Sequence, residues 1–164
     1  MAFEPLSNPD DLAKLGSGSS NFDGAAEPAD KRLLEAFPNP MKNVPGDALI
    51  VLGGYDDPKE FTSLCPKTNQ PDFARIVVEY APRDLCVESK SWKLYLGSYR
   101  NAQEFHEACV ARILRDLVEL LDPNYLRVTG EFTPRGGISI NPSHEYIRAK
   151  HSVAAQARSM PEPS

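Results

Sequence analysis

No apolar run in this 164-residue chain approaches the ~20 residues that a membrane-spanning helix requires, so no segment is expected to cross a bilayer. The opening residues "MAFEPLSNPDD" lack both a basic stretch and an apolar stretch; they do not read as a signal peptide, and a cytoplasmic protein is expected. An excess of positive charge is missing too. Lys and Arg number 18 against 23 Asp and Glu, a net charge of −5, whereas a general nucleic-acid binder carries a basic stripe, so no nucleic-acid partner is expected. Metal ligands are scarce: only His106, His144 and His151 join Cys65, Cys86 and Cys109, with no CxxC and no Cys/His cluster at zinc spacing. No metal site is expected, and three cysteines cannot all pair within one chain. The absence of GxGxxG and GxxxxGK leaves a Rossmann or P-loop nucleotide site without support.

What is present reads as one globular domain, 41% hydrophobic and 25% charged. Residues 1–45 read as a flexible arm rich in Gly, Ser, Pro, Asn and Asp, in which "ADKRLLEAF" supplies one or two helical turns ended by Pro38. Residues 46–148 hold the folded core and 149–164 a tail. "ALIVLGGY" predicts a short buried strand. "DFARIVVEYAP" predicts another, with "RDLCVES" as its neighbour across a short turn. Val110, Ile113, Leu114, Leu117 and Leu121 recur at helical spacing in "EFHEACVARILRDLVELLD", which Pro123 closes. "NYLRVTGEFTP" and "GGISINP" predict two last strands joined at Arg135-Gly136-Gly137. "KSWKLYLGSYR" fits a strand or a helix; the helical choice gives an α+β protein ordered β-β-α-α-β-β, an antiparallel sheet with its helices on one face.

Four constellations can carry chemistry, and each has a plainer reading. In "TSLCPKTNQPDF", Pro66 and Pro71 keep Cys65 off regular structure, where a thiolate can act as a nucleophile and Asp72 as a proton donor. Alternatively, the two are a packed thiol and a strand-opening carboxylate. In "VESKSWK", Lys90 and Lys93 beside Glu88 suit an anion at a helix N-terminus, or form a solvated turn. In "FHE", Glu107 can accept two hydrogen bonds from a guanine-like edge while His106 assists proton transfer; equally, Glu107 is favoured in a first helical turn by the macrodipole alone. In "TPRGG", Arg135 can hold a phosphate, or the glycines simply make a hairpin. Cys86 and Cys109 read as packing residues.

Taken together and in order, "FTSLCPKTNQPDF", "ESKSWKLYLGSYR", "FHE" and "FTPRGGISI" resemble the single-module NADPH-dependent 7-cyano-7-deazaguanine reductases of queuosine biosynthesis, from about Glu60 to Pro142. The ESKS-type segment is a signature of that family. The first fifty residues and the tail carry little of the likeness.

The resemblance implies a tunnelling fold (T-fold) with a four-stranded antiparallel sheet, and it makes the ambiguous stretch a helix. It implies a homo-oligomer, a decamer of two stacked pentamers with pockets between subunits. The implied reaction converts the nitrile of the free base 7-cyano-7-deazaguanine into a primary amine, with two NADPH consumed and no metal. By position, Cys65 is implied as the nucleophile that forms a thioimide, Asp72 as the proton donor and His106 as its support. Val87, Glu88, Ser89, His106 and Glu107 are implied as the base pocket, and Lys90, Lys93 and Arg135 as cofactor contacts. The rivals are another T-fold enzyme on a purine or pterin, such as a GTP cyclohydrolase, a non-catalytic purine-binding T-fold module, and a nitrile hydrolase.

Overall fold

The computed structural model describes residues 29–54 and 56–148, so the greater part of the expected arm and the whole tail lie outside the described residues. In chain order the elements are a 3-10 turn (Lys31–Leu33), β1 (Ala36–Pro38), β2 (Ile50–Leu52), β3 (Phe61–Leu64), β4 (Pro71–Ala81), β5 (Leu85–Val87), α1 (Ser89–Gly97), a second 3-10 turn (Ser98–Asn101), α2 (His106–Leu121), β6 (Tyr125–Phe132) and β7 (Ser143–Ile147).

The longest strand organises the rest. β4 begins at a proline, which a first strand position tolerates because no ladder N–H is needed there. Its β-branched centre, Ile76-Val77-Val78, suits a pleated and buried surface. One edge pairs with β6 from Ala74↔Phe132 to Ala81↔Tyr125. The other edge is shared: β3 takes its first half, Phe61↔Ala74 to Leu64↔Pro71, and β2 its second, Ile50↔Tyr80 to Leu52↔Val78. β7 pairs beyond β6, and every pairing is antiparallel.

Both helices cover the same face of this sheet. Ala74, Ile76, Val78 and Tyr80 of β4 share one core with Leu126, Val128 and Phe132 of β6, with Trp92 and Tyr95 of α1 and with Val110, Ile113, Leu114, Leu117 and Leu121 of α2. Each large apolar side chain so buried contributes roughly 1.5–3 kcal/mol. The predicted stripe of α2 is therefore its core face. Its end comes one residue before Pro123, where Asp122 adopts a left-handed conformation (φ 42°). The opposite sheet face carries ion pairs, Arg75–Glu131 and Arg127 with Glu79 and Glu145.

Four expectations are corrected. "RDLCVES" does not neighbour β4; its strand β5 pairs with β1 in a separate two-stranded sheet, because β2 and β3 already occupy that edge. "FTSL" is a strand, so the main sheet has five strands rather than four. "GGISINP" is not a strand. Gly136 and Gly137 (φ 57° and 78°) make a two-residue turn closed by reciprocal Arg135–Ile138 hydrogen bonds, and pairing with β6 resumes only at Ser143, after Pro142. "ADKRLLEAF" gives one 3-10 turn and then β1, and Ala29 and Leu34 are buried in the core, so packed chain begins well ahead of residue 46.

Sheet and helix press close together at Gly130. A Cβ there would lie 2.8 Å from Phe132 Cε2 and 2.9 Å from Val110 Cγ2. Gly130→Ala is expected to lower stability by about 1–3 kcal/mol through overpacking, read as a lower denaturant midpoint with an unchanged slope.

Candidate active site

A short loop between β3 and β4 presents Cys65. The Cys65 N–H donates to the Gln70 carbonyl at 2.9 Å and the Asn69 N–H donates to the Cys65 carbonyl at 2.9 Å, so residues 65–70 close on themselves. Asn69 accepts the left-handed backbone (φ 55°) that this turn needs, as asparagine does at least cost after glycine. Closing the loop aims the N–H groups of Lys67 and Thr68 at the sulfur of Cys65, and the Thr68 hydroxyl donates to it as well. The arrangement resembles a helix N-cap with sulfur in place of oxygen.

These donors set the charge on sulfur. The Thr68 hydroxyl above all, then the Lys67 and Thr68 N–H groups, with Arg135 in addition, bring the Cys65 thiol down to about 7 against a small opposing effect of desolvation. The other two cysteines go the other way. Burial raises Cys86, and burial beside Ser63 pushes Cys109 up to about 12. Cys65 alone has a thiolate within reach of neutral pH.

Asp72, only 5% exposed, is the second residue of β4 and lies across from Ser63. Its Oδ1 is 3.2 Å from His106 Nε2 and 2.7 Å from Arg135 Nη2. His106 opens α2, and its ring stacks on Phe132 with centroids 3.8 Å apart and planes 8° from parallel. The start of α2 is held beside the loop by backbone hydrogen bonds, Leu64 N–H to Ala102 (2.9 Å) and Glu104 N–H to Leu64 (3.1 Å), and by the Glu104–Arg112 ion pair. Glu107 follows, exposed in the first turn of the helix.

Cys65, Asp72, His106 and Arg135 thus gather at one end of β4, with Glu107 the next residue along α2. The other residues singled out from the sequence do not join them. Val87 is buried at the far end, where its N–H donates to the Tyr80 hydroxyl at 3.2 Å. From Asp72 to Tyr80 is eight strand residues, about 26 Å of chain. Glu88 caps α1 there, accepting from the Lys90 N–H (2.9 Å) and the Ser91 N–H (2.7 Å), which holds its carboxyl below the usual carboxylate range. Ser89, Lys90 and Lys93 are exposed on the first turn of α1. Arg135, grouped with the lysines from the sequence, stands instead with the thiol.

Two residues of the cluster carried no sequence signal strong enough to single them out. Thr68 shows itself only as a hydroxyl in a turn-forming run, and Phe132 only as the last apolar residue of an alternating strand. A groove of about 660 Å³ opens beside the loop, lined by Pro66, Phe105, Arg112 and Arg115 among others, but not by Cys65 or Asp72. Among the described residues no three or more of His, Cys, Asp and Glu are grouped so as to hold a metal ion, and no helix is long and apolar enough to cross a membrane.

Comparison with known proteins defines the class first. The family described as QueF-like protein matches residues 71–151. The fold is also that of the apo archaeosine synthase QueF-Like, at a TM-score of 0.52 and 23% identity over 63% of this chain and 95% of that one. The NADPH-dependent 7-cyano-7-deazaguanine reductase of Helicobacter pylori (strain Shi470) is 57% identical over 127 residues, 77% of this chain and 83% of the relative. That of Streptococcus thermophilus is 52% identical over 139 residues, 85% of this chain and 80% of the relative. The chain belongs to the family of NADPH-dependent 7-cyano-7-deazaguanine reductases.

The charge on Cys65 gives a direct test. Alkylation by iodoacetamide is expected to map to Cys65 and not to Cys86 or Cys109, with a rate that rises through a midpoint near pH 7, the value to which its thiol is lowered (about 7). Peptide mapping by mass across a pH series checks both statements.

Proposed function

We infer that this protein reduces the nitrile of 7-cyano-7-deazaguanine to the 7-aminomethyl product, with NADPH as the reductant, in queuosine biosynthesis. Relatives more than half identical over most of the chain carry that activity in their names. The observation that carries the reading is the half-exposed Cys65, lowered to about 7 and set beside a buried carboxylate that a histidine touches.

The chemistry follows from these groups. A nitrile is a poor hydride acceptor. Addition of the Cys65 thiolate to the nitrile carbon forms a C–S bond and leaves a C=N bond whose nitrogen takes a proton, giving a thioimide. Asp72 delivers that proton, and His106 Nε2, in contact with Oδ1, is placed to replace it. NADPH supplies a hydride to the activated carbon. The tetrahedral adduct then expels the thiolate, and a second hydride and proton complete the amine, four electrons in all from two NADPH. Glu107 accepts the N–H groups of the guanine-like edge, and Val87, Glu88 and Ser89 line the rest of the base pocket.

Lys90 and Lys93, one helical turn apart and exposed, are suited to hold cofactor phosphates at the N-terminus of α1. Val87 lies beside Tyr80, about 26 Å of strand from Asp72, which favours a pocket completed by a second copy. We therefore take the fold as a T-fold whose pockets form between subunits, in a decamer of two pentamers. Among the described residues the outer edges of β2 and β7 carry no partner strand and are available for that pairing.

The test isolates the first step. With nitrile present and NADPH absent, intact mass is expected to rise by one substrate, with the added mass on Cys65. Cys65→Ala should give no adduct and no NADPH oxidation. Asp72→Asn should bind substrate yet lose roughly 10²–10⁴-fold in turnover. Substantial amine formation by Cys65→Ala contradicts the mechanism.

A further inference from the structure

Arg135 stands at the foot of the Gly136-Gly137 turn, whose tip projects into open space. Its guanidinium turns inward. Nη2 lies 2.7 Å from Asp72 Oδ1, 3.0 Å from the Pro71 carbonyl and 3.3 Å from the Gln70 carbonyl, and the same group donates to the Cys65 sulfur. The Gln70 carbonyl is also the acceptor of the Cys65 N–H. One permanent cation therefore gathers the nucleophile, the carboxylate and the backbone that joins them.

We propose that Arg135 is a positioning residue for the first chemical step, locking the Cys65 loop to Asp72, rather than a contact for cofactor phosphate. The proposal rests on the reductase reading. Arg135 and His106 both approach Asp72 at Oδ1. The guanidinium is engaged by acceptors of its own chain, so a phosphate would have to pull it from them.

The charged and titratable groups on the elements around the loop are Lys67 within it, Asp72 on β4, Glu104, His106 and Glu107 at the start of α2, and Arg135. Glu104 is paired with Arg112. Removing Arg135 leaves the Thr68 hydroxyl and the Lys67 and Thr68 N–H groups beside the sulfur. The thiolate keeps that support and loses the smaller share of the guanidinium, so its pKa rises.

The experiment compares full-length wild type, Arg135→Gln and Arg135→Lys. Cys65 alkylation is followed against pH with neither nitrile nor NADPH, and steady-state turnover is measured in parallel. For Arg135→Gln, the alkylation midpoint is expected to rise by about half a unit to one unit, less than a buried pair would give because the site is open. Its kcat should fall by about tenfold or more while the KM for NADPH changes less than twofold, as expected when a group needed for chemistry and not for cofactor binding is lost. Arg135→Lys restores the charge without the fork, so its midpoint should lie between the two and its kcat below wild type. An unchanged midpoint in an Arg135→Gln protein with a native circular dichroism spectrum overturns the proposal. So does a raised KM for NADPH with kcat and midpoint intact. Should Arg135→Gln not fold, an Arg135→Lys protein equal to wild type in midpoint and kcat overturns it. Failure of wild type to form amine would count against the reductase reading instead and would leave the alkylation comparison standing.

Discussion

The pairing of β4 with its neighbours is the constraint on which the molecule depends. Eleven residues long, this strand carries β6 on one edge and two successive strands on the other, and its alternate side chains form the floor of the core. It also fixes where chemistry can occur. Asp72 must sit at its first turn of pleat, next to the loop that β3 feeds, while Tyr80 must receive Val87 at its far end. A rigid strand cannot bring those ends together. The separation of Asp72 from Tyr80 is thus a property of the strand and not of any loop conformation, and it is the ground on which we propose a pocket shared between copies of the chain.

Within the Cys65 group the governing physics is local. A thiol on irregular chain would ordinarily titrate near 8.5. Here a closed turn supplies donors that point at sulfur, and a hydroxyl and a guanidinium complete the set. No helix of any length is required. The same turn depends on Asn69 in a left-handed conformation and on the Gln103 amide, which donates to the Asn69 side chain at 2.9 Å. His106 gains its orientation from a different source, the face of Phe132, whose place is fixed by strand pairing opposite Ala74. The Cys65 loop and Asp72 are therefore held by separate elements that the Arg135 guanidinium touches in common.

Legibility in the sequence followed periodicity. α2 shows itself because five apolar residues repeat at helical spacing over about three turns, and β4 because β-branched residues cluster at its centre. Three-residue strands have no period to show. "RDLCVES" therefore reads as the partner of β4, whereas the real partner of β5 is β1, some fifty residues earlier in a region that reads as arm. The Gly136-Gly137 turn was visible, but not that it ends its hairpin after one bridge. Cys65, Asp72, His106 and Glu107 were legible through family wording, and the structure sets the first three in one cluster. Thr68 and Phe132 were not, because a hydroxyl in a turn and an aromatic at a strand end are ordinary until a neighbour gives them something to do.

The claim on which the account turns is that residues from both ends of β4 act in one pocket, supplied by different subunits. Subunit complementation tests it most directly. Cys65→Ala removes the nucleophile from one end. Glu88→Gln alters the other while keeping an oxygen to cap α1. Each variant alone should be inactive or nearly so. Mixed after dissociation and allowed to reassemble, they should regain nitrile reduction, since some pockets then draw an intact half from each variant. Two impaired variants that stay as inactive after co-assembly as before it would contradict the account.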